Sequence, residues 1–191
     1  MDFEFYLKQG FFHVLDLRAL DHILFFIAVT VIFTLKDWKK ALLLVTFFTL
    51  GHTFTFALSA YDVLLVNESY VEFLIPITIA IPLFWNSFNI LKAKTLKSTN
   101  IYFTFFFGLI HGLGFSSYFK MLLDDDESIL KPLLEFALGI ELVQILIVFL
   151  VLLLGFLVQK QLKIAKKYWV IGVSFLILLK IIPMLWERFP V

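Results

Sequence analysis

PLLEFALGIELVQILIVFLVLLLGFLV, residues 132–158, decides the fold. Its polar side chains are Glu135, Glu141 and Gln144, and the rest is aliphatic, aromatic, glycine or proline. A bilayer crossing takes about 20 apolar residues of helix. In hydrocarbon every backbone N–H and C=O has to bond within its own segment, so such a run is a helix. Outward from it, apolar runs of similar character lie at 19–35, 40–60, 71–90, 101–122 and 168–186. Hydrophobic residues make up 61% of the 191-residue chain and charged residues 16%, where a soluble domain carries roughly 25% charge. The expectation is an all-α polytopic membrane protein, a single transmembrane domain over 1–191 built as a bundle of about six spans.

These bounds exclude several function classes. Six spans leave no room for a separate catalytic or DNA-binding domain. The net charge of +1 and the lack of a long basic run give no nucleic-acid signal. Without cysteine there are no disulfides, thiolate metal sites or thiol nucleophiles. The opening MDFEFYLKQG carries Asp2 and Glu4 beside Lys8, unlike a secretory leader, and reads as an exposed or interfacial part of the mature protein. The expected partners are membrane lipids and a metal ion, with no nucleic acid, and homo-oligomer formation is left open.

The loops alternate in sign. Lys36, Lys39 and Lys40 follow the first run, Lys92, Lys94 and Lys97 the third, and Lys160, Lys163, Lys166 and Lys167 the fifth. Asp62, Glu68 and Glu72, then Asp124, Asp125, Asp126 and Glu127, mark the opposite side. Basic loops stay cytoplasmic, which predicts an inner-membrane protein with both termini outside. Trp38, Tyr61, Tyr70, Tyr168, Trp169 and Trp186 sit at predicted helix ends, where interfacial anchors belong. Pro76 and Pro82 fall within the third run, where they either kink the helix or simply shape it.

Ionisable groups inside a bilayer are costly and mark functional positions. Asp21 and His22 open the first run, His52 lies in the second, His111 in the fourth and Glu141 in the fifth. Thr49, Thr55 and Ser59 form a polar stripe around His52, which should face protein. Gly108, Gly112 and Gly114 surround His111 and would let a neighbouring helix come close. Gln144 shares a face with Glu141, and Asn86 and Asn89 repeat that spacing, more as helix-to-helix glue than as ligands. At 1.5 Å per residue, His52 and Glu141 lie roughly 12–14 Å from their outer ends and His111 about 16 Å. The polar groups therefore fall in the outer half of the bilayer or near its middle.

Three imidazoles with one or two carboxylates make a ligand set for a divalent transition metal, since imidazole suits zinc, nickel, copper and iron. The predicted set is Asp21, His22, His52, His111 and Glu141, supported by Thr49, Thr55, Gly112, Gln144, Asn86, Asn89 and Ser116. Asp21 has a competing local partner in Arg18, three residues earlier. His13 either caps the site entrance or sits in the interface. Imidazole pairs also permit heme ligation, which nothing in the sequence selects.

GFFHVLDLRALDHILFF, FTLGHTFTFAL, FFGLIHGLGF and FALGIELVQ, in this order, resemble the HupE/UreJ family of small membrane proteins over about Gly10 to Gln144. The resemblance implies a metal permease, chiefly for nickel, linked to hydrogenase and urease maturation. The family's kept positions correspond to Asp21, His22, His52, His111, Gly112, Glu141 and Gln144. The Asp-His pair and the Leu-Gly-His segment also look like signature pieces of nickel/cobalt transporters. Where the family has histidine, five residues and then Asp-His, often after a glycine, this chain has seven residues between His13 and Asp21 and no such glycine. The resemblance therefore gives His13 no settled role.

The leading expectation is a nickel- or cobalt-type transporter without an ATP-binding loop. The alternative is an intramembrane zinc-dependent hydrolase or transferase acting on a lipid or lipoprotein. In that case three histidines would hold zinc, Glu141 or Asp21 would act as base, and Ser116 or Ser117 would position the substrate.

Overall fold

The computed structural model describes residues 3–16, 20–64, 66–92, 101–114, 119, 121–122 and 128–190. Among these residues there are seven α-helices and no strand: α1 Phe3–Val14, α2 Asp21–Thr30, α3 Trp38–Ala60, α4 Glu68–Leu91, α5 Ile101–Leu113, α6 Leu130–Lys160 and α7 Lys166–Glu187. The stretches ending in α3, α4, α6 and α7 are long and apolar enough to cross a membrane, whereas α2 and α5 are shorter apolar helices. The fold is all-helical and of membrane type.

Helix starts follow local chemistry. Thr34 and Asp37 form a reciprocal capping box ahead of α3, where Asp37 Oδ2 accepts from both Thr34 N and Thr34 Oγ1. That arrangement satisfies donors that a helix N-terminus otherwise leaves unpaired. Asn67 caps α4 by accepting from Ser69 N at 3.0 Å. Pro76 and Pro82 lie inside α4, which runs on past both.

The outside of the bundle is apolar. Phe54, Phe84, Phe149, Phe175 and Leu176 are each more than half exposed. Water tolerates no such continuous surface, and lipid does. The interior holds Phe25, Phe26, Phe48, Phe56, Phe136 and Ile140, all essentially inaccessible.

The N-terminal segment differs most from the sequence reading. Instead of an exposed or interfacial tail, residues 3–14 form helix α1, whose buried face is Tyr6, Gly10 and Val14. These recur every fourth residue, one per helical turn. Glu4 and Lys8 pair on its exposed side. The run at 19–35 is helical over Asp21–Thr30, followed by the short 3-10 turn Leu35–Asp37. The run at 101–122 holds α5, which ends at Leu113.

Contacts along α3 give the direction of the first two helices. Tyr6 packs on Phe119, which touches Phe56. His13 lies against His52, one turn back from Phe56, and Phe25 and Phe26 lie against Phe48, a further turn back. So α1 and then α2 pass down α3 from its Ala60 end towards its Trp38 end. α1 ends at Val14 and α2 begins at Asp21, both at the level of His52.

Glycines set two close helix pairs. A Cβ on Gly51 would strike Phe105 O, one on Gly108 would strike Phe48 O, and one on Gly112 would strike His52 O and Thr55 Oγ1. The Phe48–Gly108 and His52–Gly112 contacts step four residues along both helices, so α3 and α5 run parallel. In the second pair, a Cβ on Gly10 would strike Phe136 O, and one on Gly139 would strike Leu7 O, which brings α1 onto α6.

Candidate metal centre

Four helices bring histidines to one level. The Gly10 contact lets α1 press on α6 and carries His13, three residues on, against the Phe136 ring at 5.7 Å. The first turn of α2 supplies Asp21 and His22. His52 follows Gly51 in the α3 seam, and His111 lies between Gly108 and Gly112 in α5. Small residues permit backbone approach without lost packing.

His13, His22 and His52 each present a ring nitrogen, and these atoms lie within 4.8 Å of one another. The His111 ring lies 5.4 Å from that of His22, centre to centre. Ligand nitrogens at about 2.0–2.1 Å from one ion are at most about 4.2 Å apart. The observed spread thus needs only small side-chain rotations to close on a first-row divalent ion.

The bonding of the rings fits that use. His22, His52 and His111 are at most 6% exposed. Among the described residues, His22 Nε2, both ring nitrogens of His52 and His111 Nε2 have no hydrogen-bond partner. A buried polar atom left in this state costs about 1–3 kcal/mol, which a bound cation would offset. His111 Nδ1–H donates to Phe107 O at 2.9 Å, leaving Nε2 as the bare lone pair. A backbone carbonyl that fixes the tautomer in this way is a common support for a metal-binding imidazole.

The carboxylates divide. Asp21 is buried, with Oδ2 accepting from Arg188 Nη1 at 3.1 Å. Arg18, the partner the sequence suggested, lies outside the described residues. Glu141 is half-buried, and its Oε1 accepts from Thr46 Oγ1 at 2.7 Å. Gln144 Oε1 accepts from Thr49 Oγ1 at 2.9 Å, one turn along the same α3·α6 interface. Thr55 Oγ1 donates to Leu109 O at 2.7 Å and ties α3 to α5. Asn86 Nδ2 donates to Ala28 O at 2.9 Å and braces α2, and Asn89 is buried on the same face of α4. Ser116 and Ser117 lie outside the described residues.

Aromatic layers close the centre along α3. Towards Trp38, Phe25 and Phe48 lie 4.8 Å apart and each sits within about a ring width of His111, at 5.3 and 5.1 Å. Towards Ala60, Phe56, Phe119 and Phe136 pack at 4.9–5.4 Å, and Phe56 lies 5.7 Å from His52.

A sequence profile described as HupE / UreJ protein matches residues 1–188. The chain belongs to the HupE/UreJ family. No curated protein and no solved structure matches it. The HupE/UreJ match extends from before α1 through Arg188, so every group at this centre falls inside it, including His13. Sequence reasoning gave His13 no settled role, yet it belongs to the closest trio. A signal for it did exist: Gly10-Phe-Phe-His13 and Gly108-Leu-Ile-His111 place a histidine three residues after a helix-contact glycine.

Proposed function

We propose that this HupE/UreJ protein carries a divalent transition-metal ion of the nickel or cobalt type across the inner membrane. The observation that carries the reading is the trio of ring nitrogens from His13, His22 and His52. These bind the partly dehydrated ion, His111 stands beside them, and Asp21 balances charge. Neutral imidazoles suit nickel and cobalt. They hold an ion less firmly than thiolates would, as permeation requires. The end of α1 and the start of α2 beside His52 support the same reading, because helix termini line ion sites in many transporters. By the positive-inside rule the basic loops are cytoplasmic and both termini outside. The Ala60 end of α3 is then the side from which the ion arrives.

The test is ion uptake into vesicles containing the purified protein, with nickel(II) and cobalt(II) as probes. Uptake is expected for the unaltered chain and none for His52→Ala. Absence of flux for every divalent ion, together with tightly held zinc, would overturn transport in favour of a fixed-site zinc hydrolase acting on lipid or lipoprotein.

A further inference from the structure

Asp21 precedes His22 at the centre, yet its partner is 167 residues away: Arg188 Nη1 donates to Asp21 Oδ2 at 3.1 Å. Asp21 is 7% exposed, and its Oδ1 has no hydrogen-bond partner among the described residues. The carboxylate is therefore only half satisfied. Asp21 directly precedes His22 in the first turn of α2, and the His22 ring lies 5.4 Å from that of His111, so the ion pair is one residue from the histidines rather than standing apart.

Arg188 keeps somewhere else to go. Its side chain is 23% exposed and lines a polar hollow of about 230 Å³ at the start of α4, where Glu72 and Glu187 offer two further carboxylates. It also lines the groove between α2 and α7, lined by Leu20, Leu24 and Leu176. A guanidinium on a long stem can swing between the buried carboxylate and the exposed pair without backbone movement.

A buried carboxylate requires a counter-cation. In the metal-free centre the guanidinium supplies it. A divalent ion on the histidines would supply it better, and a second cation on Asp21 would then be repelled. We propose that Arg188 is a tethered cation that occupies Asp21 while the histidines lack metal. An arriving divalent ion displaces it into the hollow lined by Glu72 and Glu187. The consequence is selectivity: an ion must hold the imidazoles and the carboxylate together to evict the guanidinium, which a monovalent alkali cation does not do. This rests on the metal site proposed above.

Nickel(II) titration calorimetry on the purified full chain tests it, with Arg188→Gln, Arg188→Lys, Asp21→Asn and the Asp21→Asn/Arg188→Gln double variant. Removing the competitor should tighten binding by about tenfold in Arg188→Gln, whereas Arg188→Lys, which keeps the charge, should stay near the unaltered protein. On the Asp21→Asn background the same change should matter by less than about twofold, because the two groups act as a unit. A merely structural latch predicts the opposite, weaker binding in Arg188→Gln. Equal or weaker binding in a folded Arg188→Gln protein overturns the tethered-cation proposal while leaving the metal site standing. No nickel binding by the unaltered chain overturns both.

Discussion

The α3·α5 pair and the α1·α6 pair share one construction. In each, a short helix of 13 or 12 residues leans on a long one of 23 or 31 through facing glycines and delivers a histidine three residues later. They differ in how firmly they are locked. The α3·α5 seam has Gly51, Gly108 and Gly112, the Thr55-to-Leu109 hydrogen bond, and a histidine from each partner, one of them held by Phe107 O. The α1·α6 seam has Gly10 and Gly139, and α6 meets His13 with the Phe136 ring. The polar pair on α6, Glu141 and Gln144, bonds instead to α3. The α3·α5 pair is thus the wall of the centre with a direct cross-helix hydrogen bond, while α1 brings its ligand on a helix packed on α6 through the two glycines and tied to Leu122 O by the Tyr6 hydroxyl.

The largest expected effect separates the two histidines that these short helices deliver. His13→Ala removes a member of the trio and should weaken nickel binding by more than about 100-fold. His111→Ala removes a neighbour and should cost about 10–100-fold, as supporting groups around metals do. Titration calorimetry on both variants checks this. The reverse order would move the ion to the α5 side and undo the assignment of α1 as the ligand-bearing arm.

The next effect concerns the seams themselves. Gly108→Ala pushes a methyl into Phe48 O, between helices also tied by other contacts, so the strain stays in place. Overpacking of this kind costs about 1–3 kcal/mol, and the protein should melt several degrees lower in detergent. Gly10→Ala meets Phe136 O in the same way, and the expected response is a shift of the short helix α1 away from α6. The melting temperature should fall by less, and nickel affinity should drop because His13 retreats with the helix. Equal melting shifts with equal affinities would erase the distinction between wall and arm.

How far the sequence reveals this arrangement depends on the range of the interaction. The helical membrane fold is legible because hydropathy and backbone bonding in lipid are local properties. The glycines around His111 point to a close neighbour for the same reason, and Gly108 and Gly112 do face α3. Hydropathy reports which residues avoid water but not which are helical, so the ends of α2 and α5 escape it. Gly10 names no partner when taken alone. It acts as a contact residue only because Phe136 is there to meet it, and His13 goes unassigned with it. The partner of Asp21 lies 167 residues away, and no local pattern can prefer Arg188 over Arg18.

The smallest expected effect bears on Glu141, which the sequence placed among the ligands. Its spacing from Gln144 rightly puts both on one face of α6, but spacing cannot say what that face meets. It meets a pair of threonines, Thr46 and Thr49, each of which donates to the residue opposite. A glutamine at 141 keeps an oxygen for the Thr46 hydroxyl, so Glu141→Gln should change stability by less than about 0.5 kcal/mol, within the range of substitutions that preserve a site's contacts. If Glu141 serves only this interface, nickel affinity should stay within about twofold, because no ligand and no counter-charge has been removed. Loss of a ligand-borne charge would instead cost tenfold for each roughly 1.4 kcal/mol of attraction. A loss on that scale in calorimetry would mean that the ion feels α6 directly. The α1·α6 pair would then supply two groups to the centre, and the asymmetry between the two pairs would be one of locking alone.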